Sequence, residues 1–334
     1  MSKTQHLAVA LGLLGAATAE HAAALTVYAA MGYDQAAVDA FTRATGIAVK
    51  LVHLSTGPLL ARVQAEGSRP QWDVLWFDGN LPMHEFAAQR RLACGWTPPV
   101  RYTAQGAALL PASRCYYPVG VTYTGVMLLN GARLPPTARP RSWADLLAPR
   151  LRGRVGMDNP ALSGPTYPLV AGVLQAQGEA AGQRYFAALK RQGLHVYPTN
   201  SVTLRALQFG QIDVALVQSS AALGFARSRP QMQVVMPQPT TLLPSDLAIG
   251  AGVGGARLAQ ARRFVSFVLS PQGQRALQQG DPAADSNYVP LVAGVAPLPA
   301  VAALQAGRAL ALSPAQWGPR EGAIDSWFTA HVAR

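Results

Sequence analysis

The sequence predicts an α/β fold whose parallel sheets are covered on both faces. Three observations carry that expectation. Apolar, β-prone runs alternate with segments of helical periodicity from residue 25 onward. Residues 25–52 form a β–α–β unit, which implies a parallel pair of strands. Turns rich in hydroxyls and glycine recur where strands run into helices, at the strand ends where such sheets bind ligands.

Leu25-Thr26-Val27-Tyr28 reads as the first strand. Ala37, Val38 and Phe41 stand at helical spacing before Gly46, which stops that helix. Residues 47–52 form the second strand, ending at His53-Leu54-Ser55-Thr56-Gly57-Pro58, with a helix over 59–66. Strand three is 72–77, and Asp78-Gly79-Asn80 leads into a helix through Met83, Phe86 and Ala87. Residues 91–117 lack periodicity and are expected to be irregular, whereas 118–130 are strand-like throughout. Pro135, Pro136 and Pro140 mark a surface connection before a capped helix start at Ser142.

Arg154-Val155-Gly156-Met157 reads as a buried strand, then a turn-rich stretch from Asp158 to Thr166, then a helix. Pro168 places that helix start. With Ser163 as N-cap it would be the fifth helical residue and break a hydrogen bond; with Thr166 as cap it falls in the first turn. The loop before Thr166 is therefore expected to present free N–H groups and two hydroxyls, which suit an anion or a carbonyl oxygen. An amphipathic helix follows over 179–191 and a strand over 195–197. Thr199-Asn200-Ser201 caps a helix over 202–209, and the strand 212–217 ends at Gln218-Ser219-Ser220. Strands return at 233–236 and 246–253, helices at 256–269 and beyond Ser270-Pro271, and a last helical pattern lies near Trp327. No internal repeat appears.

Half of the 334 residues are hydrophobic and 13% are charged, a globular composition with core enough for two domains or one large one. Met1-Ser2-Lys3, the apolar run 7–17 and His21-Ala22-Ala23-Ala24 read as a secretory signal peptide over 1–24, cut after Ala24. No later apolar run is long enough to span a membrane, and no lipobox cysteine is present. Cys94 and Cys115 are the whole cysteine complement. In an exported chain they favour a disulfide, worth roughly 3 kcal/mol, over two buried thiols. The net charge of +12 is spread over scattered arginines, with Arg90-Arg91 and Arg262-Arg263 the only adjacent pairs. A nucleic-acid binder would cluster them with aromatics, so the excess fits a general attraction for anions.

Catalytic and cofactor signals are missing. His84, His195 and His331 have no partner at metal-ligand spacing, and His53 reads as a structural histidine. No His-Glu-x-x-His or Gly-x-Ser-x-Gly occurs. Gly250-Ala251-Gly252-Val253-Gly254-Gly255 matches the dinucleotide pattern, yet no acid follows about 20 residues on to hold a ribose. No enzyme activity, metal or cofactor is expected.

The order of motifs resembles the periplasmic solute-binding proteins of ABC importers, in the branch that takes ferric iron, phosphonates and sugar phosphates. The resemblance is carried by Phe41-Thr42-Arg43-Ala44-Thr45-Gly46-Ile47-Ala48-Val49, Trp72-Asp73-Val74-Leu75-Trp76, Leu151-Arg152-Gly153-Arg154-Val155-Gly156, Gly210-Gln211-Ile212-Asp213-Val214 and the run from Phe264 to Gln274. It implies a two-lobed type II binding-protein fold, with two parallel-rich sheets joined by two crossing segments near 119–130 and 234–249. The lobes are then expected at 25–121 with 244–334, and at 122–243. It also implies a periplasmic monomer that hands its solute to a permease.

Iron-binding members carry adjacent tyrosines after the strand that is here 212–217, and this chain has Ser219-Ser220. Tyr28, Tyr33, Tyr167 and Tyr197 remain as other phenolate sources, so ferric iron is the alternative solute. Hydroxyls and backbone N–H groups suit a phosphate, phosphonate or carboxylate better. The expected ligand residues are Met31, Gly32, Ser55, Thr56, Gly57, Asp78 and Asn80 from the first lobe. From the second they are Ser163, Gly164, Thr166, Asn200, Ser201, Ser219 and Ser220. Asp78 opposes an anion unless the solute also carries an amine or sugar hydroxyls; otherwise it caps the next helix. Arg62 and Arg205 read as solvated helix faces. Two other classes remain: an exported hydrolase, which lacks a visible nucleophile–base pair, and a transcriptional effector-binding domain, which would need a DNA-binding helix-turn-helix where this chain has a signal peptide.

Overall fold

The computed structural model describes residues 24–304 and 309–334, so the predicted signal peptide lies outside the described residues except for Ala24. The first stretch of chain runs β1 (Leu25–Ala29), α1 (Asp34–Thr45), β2 (Val49–His53), α2 (Thr56–Glu66), β3 (Val74–Asp78), α3 (Asn80–Ala88), α4 (Ala104–Leu109) and β4 (Tyr116–Thr124). The second runs β5 (Val126–Asn130), β6 (Val155–Asp158), α5 (Thr166–Gln177), α6 (Glu179–Arg191), β7 (His195–Tyr197), α7 (Asn200–Gln208), β8 (Val214–Val217), α8 (Ser219–Ala226) and β9 (Met232–Val235). Then come β10 (Thr241–Ile249), α9 (Gly255–Val268), α10 (Pro271–Gly280), β11 (Val289–Pro290), α11 (Pro299–Ala302), α12 (Pro314–Trp317) and α13 (Glu321–Phe328).

Two sheets result, ordered β11-β4-β10-β3-β1-β2 and β7-β6-β8-β5-β9. Both are mixed. Strands linked by helical crossovers are parallel, as in β1 with β2 and β3, or β6 with β7 and β8. The strands that carry the chain between sheets, β5 and β10, run antiparallel to their neighbours. The inner strands of each sheet are buried on both faces, which is why they read as continuous apolar runs. In the first, Leu25, Val27, Val74 and Trp76 face a cluster with α1 and α9, while Tyr28, Leu75 and Phe77 face another with α2 and α3. The second alternates likewise, Met127, Met157 and Leu216 against α5 and α6, and Leu128, Ala215 and Val217 against α7 and α8.

The strand-like run 118–130 is one path through two sheets. It breaks at Gly125, whose φ of +80° only glycine adopts without strain, and there β4 of the first sheet becomes β5 of the second. The return crossing lies between β9 and β10. The C-terminal tail, expected in the first lobe, packs on both halves: Leu312, Trp317, Ile324, Phe328 and Val332 share a cluster with Leu81 of α3 and with Leu174 and Phe186 of the second lobe. Its aromatic side chains need an apolar surface, and the outer face of α5 and α6 supplies one.

Two local expectations change. The segment 91–117 holds a short helix, α4, whose N-cap Thr103 accepts a hydrogen bond from the Gly106 N–H, and the Cys94–Cys115 disulfide braces it. The capped start at Ser142 leads only into a turn of 3₁₀-helix, with the Asp145 carboxylate accepting from the Arg141 and Ser142 N–H groups.

Candidate functional site

The C-terminal ends of the parallel strands of both sheets face one another across a cavity of about 550 Å³. The first lobe contributes Ala30 and Gly32 after β1, residues 53–56 after β2, Asp78 at the end of β3, and the loop 283–285 after α10. The second contributes 162–165 ahead of α5, Thr199, Asn200, Ser201, Leu204, Arg205 and Gln208 around α7, and Gln218, Ala221 and Phe225 at α8.

Two helices open into this cavity. Ser55 precedes the first residue of α2, and Thr199 that of α7; neither side chain caps its own helix, and the N–H groups of Thr56, Gly57, Asn200 and Ser201 have no partner among the described residues. The start of α5 is close to its expectation: Thr166 is the first helical residue, which puts Pro168 in the first turn. Ser163 lines the cavity and donates its hydroxyl to Asp158 Oδ2 at 3.0 Å, and Thr203 of α7 donates to the other oxygen of the same carboxyl. Burial raises Asp158 to about 6 against the lowering effect of those two bonds. Asp158 thus ties the 163–165 loop to α7.

The first lobe's wall is acidic. Asp78 is only 6% exposed, and its carboxyl makes no hydrogen bond among the described residues. Burial, then the neighbouring charges of Asp285 and Asp246, hold it well above the usual carboxylate range. Asp285 accepts from the Gly32 N–H at 2.7 Å and from Gln218 Nε2 at 2.9 Å, and burial pushes it up to about 6. The Gln218 bond spans the two lobes. His53 lines the cavity while its Nδ1 pairs with buried Asp34 at 2.7 Å, so it is a partnered histidine at the rim. Arg205, read from sequence as a solvated face, lines the opposite wall from an exposed position.

Of the expected ligand residues, Gly32, Ser55, Thr56, Asp78, Ser163, Gly164, Asn200 and Ser201 come together here. Six do not line the cavity. Met31 is buried in the first lobe's core, and Thr166 is buried as the first residue of α5. Asn80 faces a separate small cavity by the crossings. Gly57 lies where a Cβ would come within 2.9 Å of the Ala161 carbonyl oxygen. The serine pair turns inward with the start of α8: Ser219 Oγ accepts from the Tyr123 N–H at 3.0 Å, and Ser220 Oγ from Gln218 Nε2 at 2.7 Å. Sequence reasoning missed Asp285, Gln218 and the apolar lining of Leu54, Leu162, Leu204 and Phe225. The acid- and hydroxyl-bearing turn Asp281 to Asn287 after α10 was the available signal for Asp285.

The lobes touch at backbone distance around the cavity. A Cβ on Gly164 would stand 2.6 Å from Thr56, and one on Gly224 would stand 1.9 Å from the Ala283 carbonyl oxygen. None of Tyr28, Tyr33, Tyr167 or Tyr197 lines the cavity, and no group of three metal-ligating side chains occurs among the described residues.

Comparison with known proteins gives a consistent result. Residues 25–280 match the family described as bacterial extracellular solute-binding protein. The major ferric iron-binding protein of Neisseria meningitidis serogroup B is 29% identical over 254 residues, covering 73% of this chain and 74% of its own. A periplasmic protein of Salmonella typhimurium named for binding 2-aminoethylphosphonate is 25% identical over 245 residues, covering 72% and 70%. The fold matches the periplasmic binding protein AfuA from Actinobacillus pleuropneumoniae, solved with fructose-6-phosphate, at a TM-score of 0.78 and 18% identity over 92% of this chain and 98% of that one.

Proposed function

The chain belongs to the bacterial extracellular solute-binding proteins, and on that premise we propose that it captures a small organic solute bearing a phosphate, phosphonate or carboxylate group for an ABC importer. The observation that carries the reading is the cavity between the lobes, into which the free N-termini of α2 and α7 both open. An anionic group there meets N–H donors and the positive ends of two helix dipoles. Ser55, Thr56, Asn200 and Ser201 add side-chain donors, and Arg205 adds a cation. Leu54, Leu162, Leu204 and Phe225 give the solute's carbon skeleton an apolar wall, which a bare ion would not use.

The mechanism is lobe closure. Groups from both walls contact the solute only when the lobes meet, so the solute stabilises the closed form by its differential affinity. The permease then reads the closed shape, and no bond is made or broken. The mature protein acts as a periplasmic monomer after cleavage behind Ala24.

Ferric iron is the second reading, favoured by the name of the Neisseria relative and by the oxygen donors of Asp78 and Asp285. The lack of a tyrosine at the cavity weighs against it. Thermal unfolding separates the two. Sugar phosphates or alkylphosphonates are expected to raise the midpoint, and ferric citrate is not. A rise with ferric citrate alone would replace the anion reading by the iron one.

A further inference from the structure

The parallel strands of the second sheet that end at the cavity begin at the opposite pole of that lobe. There the register sets the starts of β6, β7, β8 and β9 beside the end of β5: Val155 pairs with Val214, Gly156 with His195, and Asn130 with Met232. Three of the connections at this pole run over 131–154, 192–194 and 209–213. Together they hold six arginines and two acids, Asp145 and Asp213. Both acids are committed. The Asp145 carboxylate accepts two backbone N–H groups, and Asp213 takes both Arg133 and Arg154. Arg141, Arg150 and Arg152 stand exposed and make no ion pair among the described residues, and Arg191 at the end of α6 joins them.

These groups form one continuous surface. Arg150 Nε donates to the Ala138 carbonyl oxygen at 3.0 Å, and the Gly153 N–H to the Gln192 carbonyl oxygen at 2.7 Å. Arg133 lies against Gly210, where a Cβ would come within 3.2 Å of the guanidinium. Next to that glycine is Phe209, 71% exposed. Leu162 and Phe209 are the large apolar side chains left exposed among the described residues. Leu162 lines the cavity, so Phe209 is the one that the solute site does not account for. A phenyl ring left in water forgoes the gain of burial unless something covers it.

We propose that this pole is a contact face for an anionic phospholipid bilayer, its guanidinium groups taking lipid phosphates and the Phe209 ring entering the headgroup layer. Guanidinium forks match phosphate oxygens in pairs. An aromatic ring flanked by basic side chains is the combination that holds a protein at a membrane–water interface. The charges sit on separate loops, so a continuous anionic plane meets them all at once. A nucleic-acid strand would call for several stacking rings, and this pole offers Phe209 alone among its three connections. The cavity, at the other ends of the same strands, stays uncovered. Whatever the solute, the face would hold the protein beside a membrane.

Co-sedimentation of the mature protein with phosphatidylcholine vesicles, plain or containing about one-third phosphatidylglycerol, tests this. Binding is expected on the anionic vesicles, at least about tenfold weaker on the plain ones, and lost in high salt. A triple variant, Arg141→Glu with Arg152→Glu and Arg191→Glu, should weaken binding about tenfold or more, and Phe209→Ser about threefold to tenfold. Arg43→Glu with Arg69→Glu and Arg275→Glu makes the same change in net charge on exposed side chains of the first lobe, and it should keep most of the binding. Absence of binding to the anionic vesicles, or equal binding to the plain ones, would overturn the proposal. Equal losses in the two triple variants would do the same, because net charge alone would then be responsible. Phe209→Ser binding as well as the parent protein would overturn the entry of the ring.

Discussion

The two walls of the cavity are chemically unlike. Beside the start of α2 with Ser55 and Thr56, the first lobe sets two acceptors, Asp78 and Asp285, with His53 occupied by Asp34 at the rim. The second offers donors and apolar surface: the start of α7 with Asn200 and Ser201, Arg205, Leu204 and Phe225. Either wall alone would hold a solute from one side only. The difference explains how a small ligand can choose the closed state, since most of its contacts exist only when unlike walls meet.

The largest effect should come from keeping the walls apart. Gly224→Ala places a methyl 1.9 Å from the Ala283 carbonyl oxygen across the lobes. Affinity should fall about a hundredfold, because closure is blocked. The unliganded protein should unfold at the same temperature or higher, since alanine suits α8 better than glycine by about 1 kcal/mol. Unchanged affinity in calorimetry would mean that the lobes do not need to meet.

Acidification should weaken the first wall selectively. Asp285 is pushed up to about 6 by burial, so it carries charge above that pH and loses it below. Affinity for a solute that needs the Asp285 charge should fall as the pH drops through about 6, by up to about tenfold per pH unit. A pH-independent affinity would separate Asp285 from binding.

A smaller change is expected on the second wall. Arg205→Ala should weaken an anionic solute about three- to tenfold, and less in high salt, because the side chain is exposed. If the loss persists undiminished in high salt, Arg205 is a direct clamp and not a long-range attractor. The least effect on binding belongs to Ser219→Ala, which leaves the buried Tyr123 N–H without its acceptor. Stability should fall by about 1 kcal/mol with affinity preserved; a loss of affinity without loss of stability would put the serine back at the ligand.

These contrasts also separate what was legible in the sequence from what was not. Ser55, Thr56, Ser163, Asn200 and Ser201 could be read because helix starts announce themselves locally, through hydroxyls and prolines at strand ends. The α/β class followed from the same alternation, whereas the division into two sheets came only through the family resemblance. Asp285 could not be read that way, since it reaches Gly32 across 253 residues of chain and only the packing of α10 on α1 brings it there. Ser219 and Ser220 have the right composition at the right strand end. They fail by rotation: α8 begins one residue after β8, and its first turn points both hydroxyls into the lobe. Composition gives a position along the chain, and the direction of a side chain depends on where the helix starts.

The C-terminal tail has a mechanical consequence. Leu310 bridges to Thr241 beside the return crossing, Gly318 packs on the Leu81 carbonyl of α3, and Trp317 is held by Gln175 and Tyr167 of α5. One short segment is therefore stitched to both halves of the molecule near the place where the two strands cross. A strap fastened on both sides of the crossings limits how far the halves can part, because wide separation has to break its contacts with one half or the other.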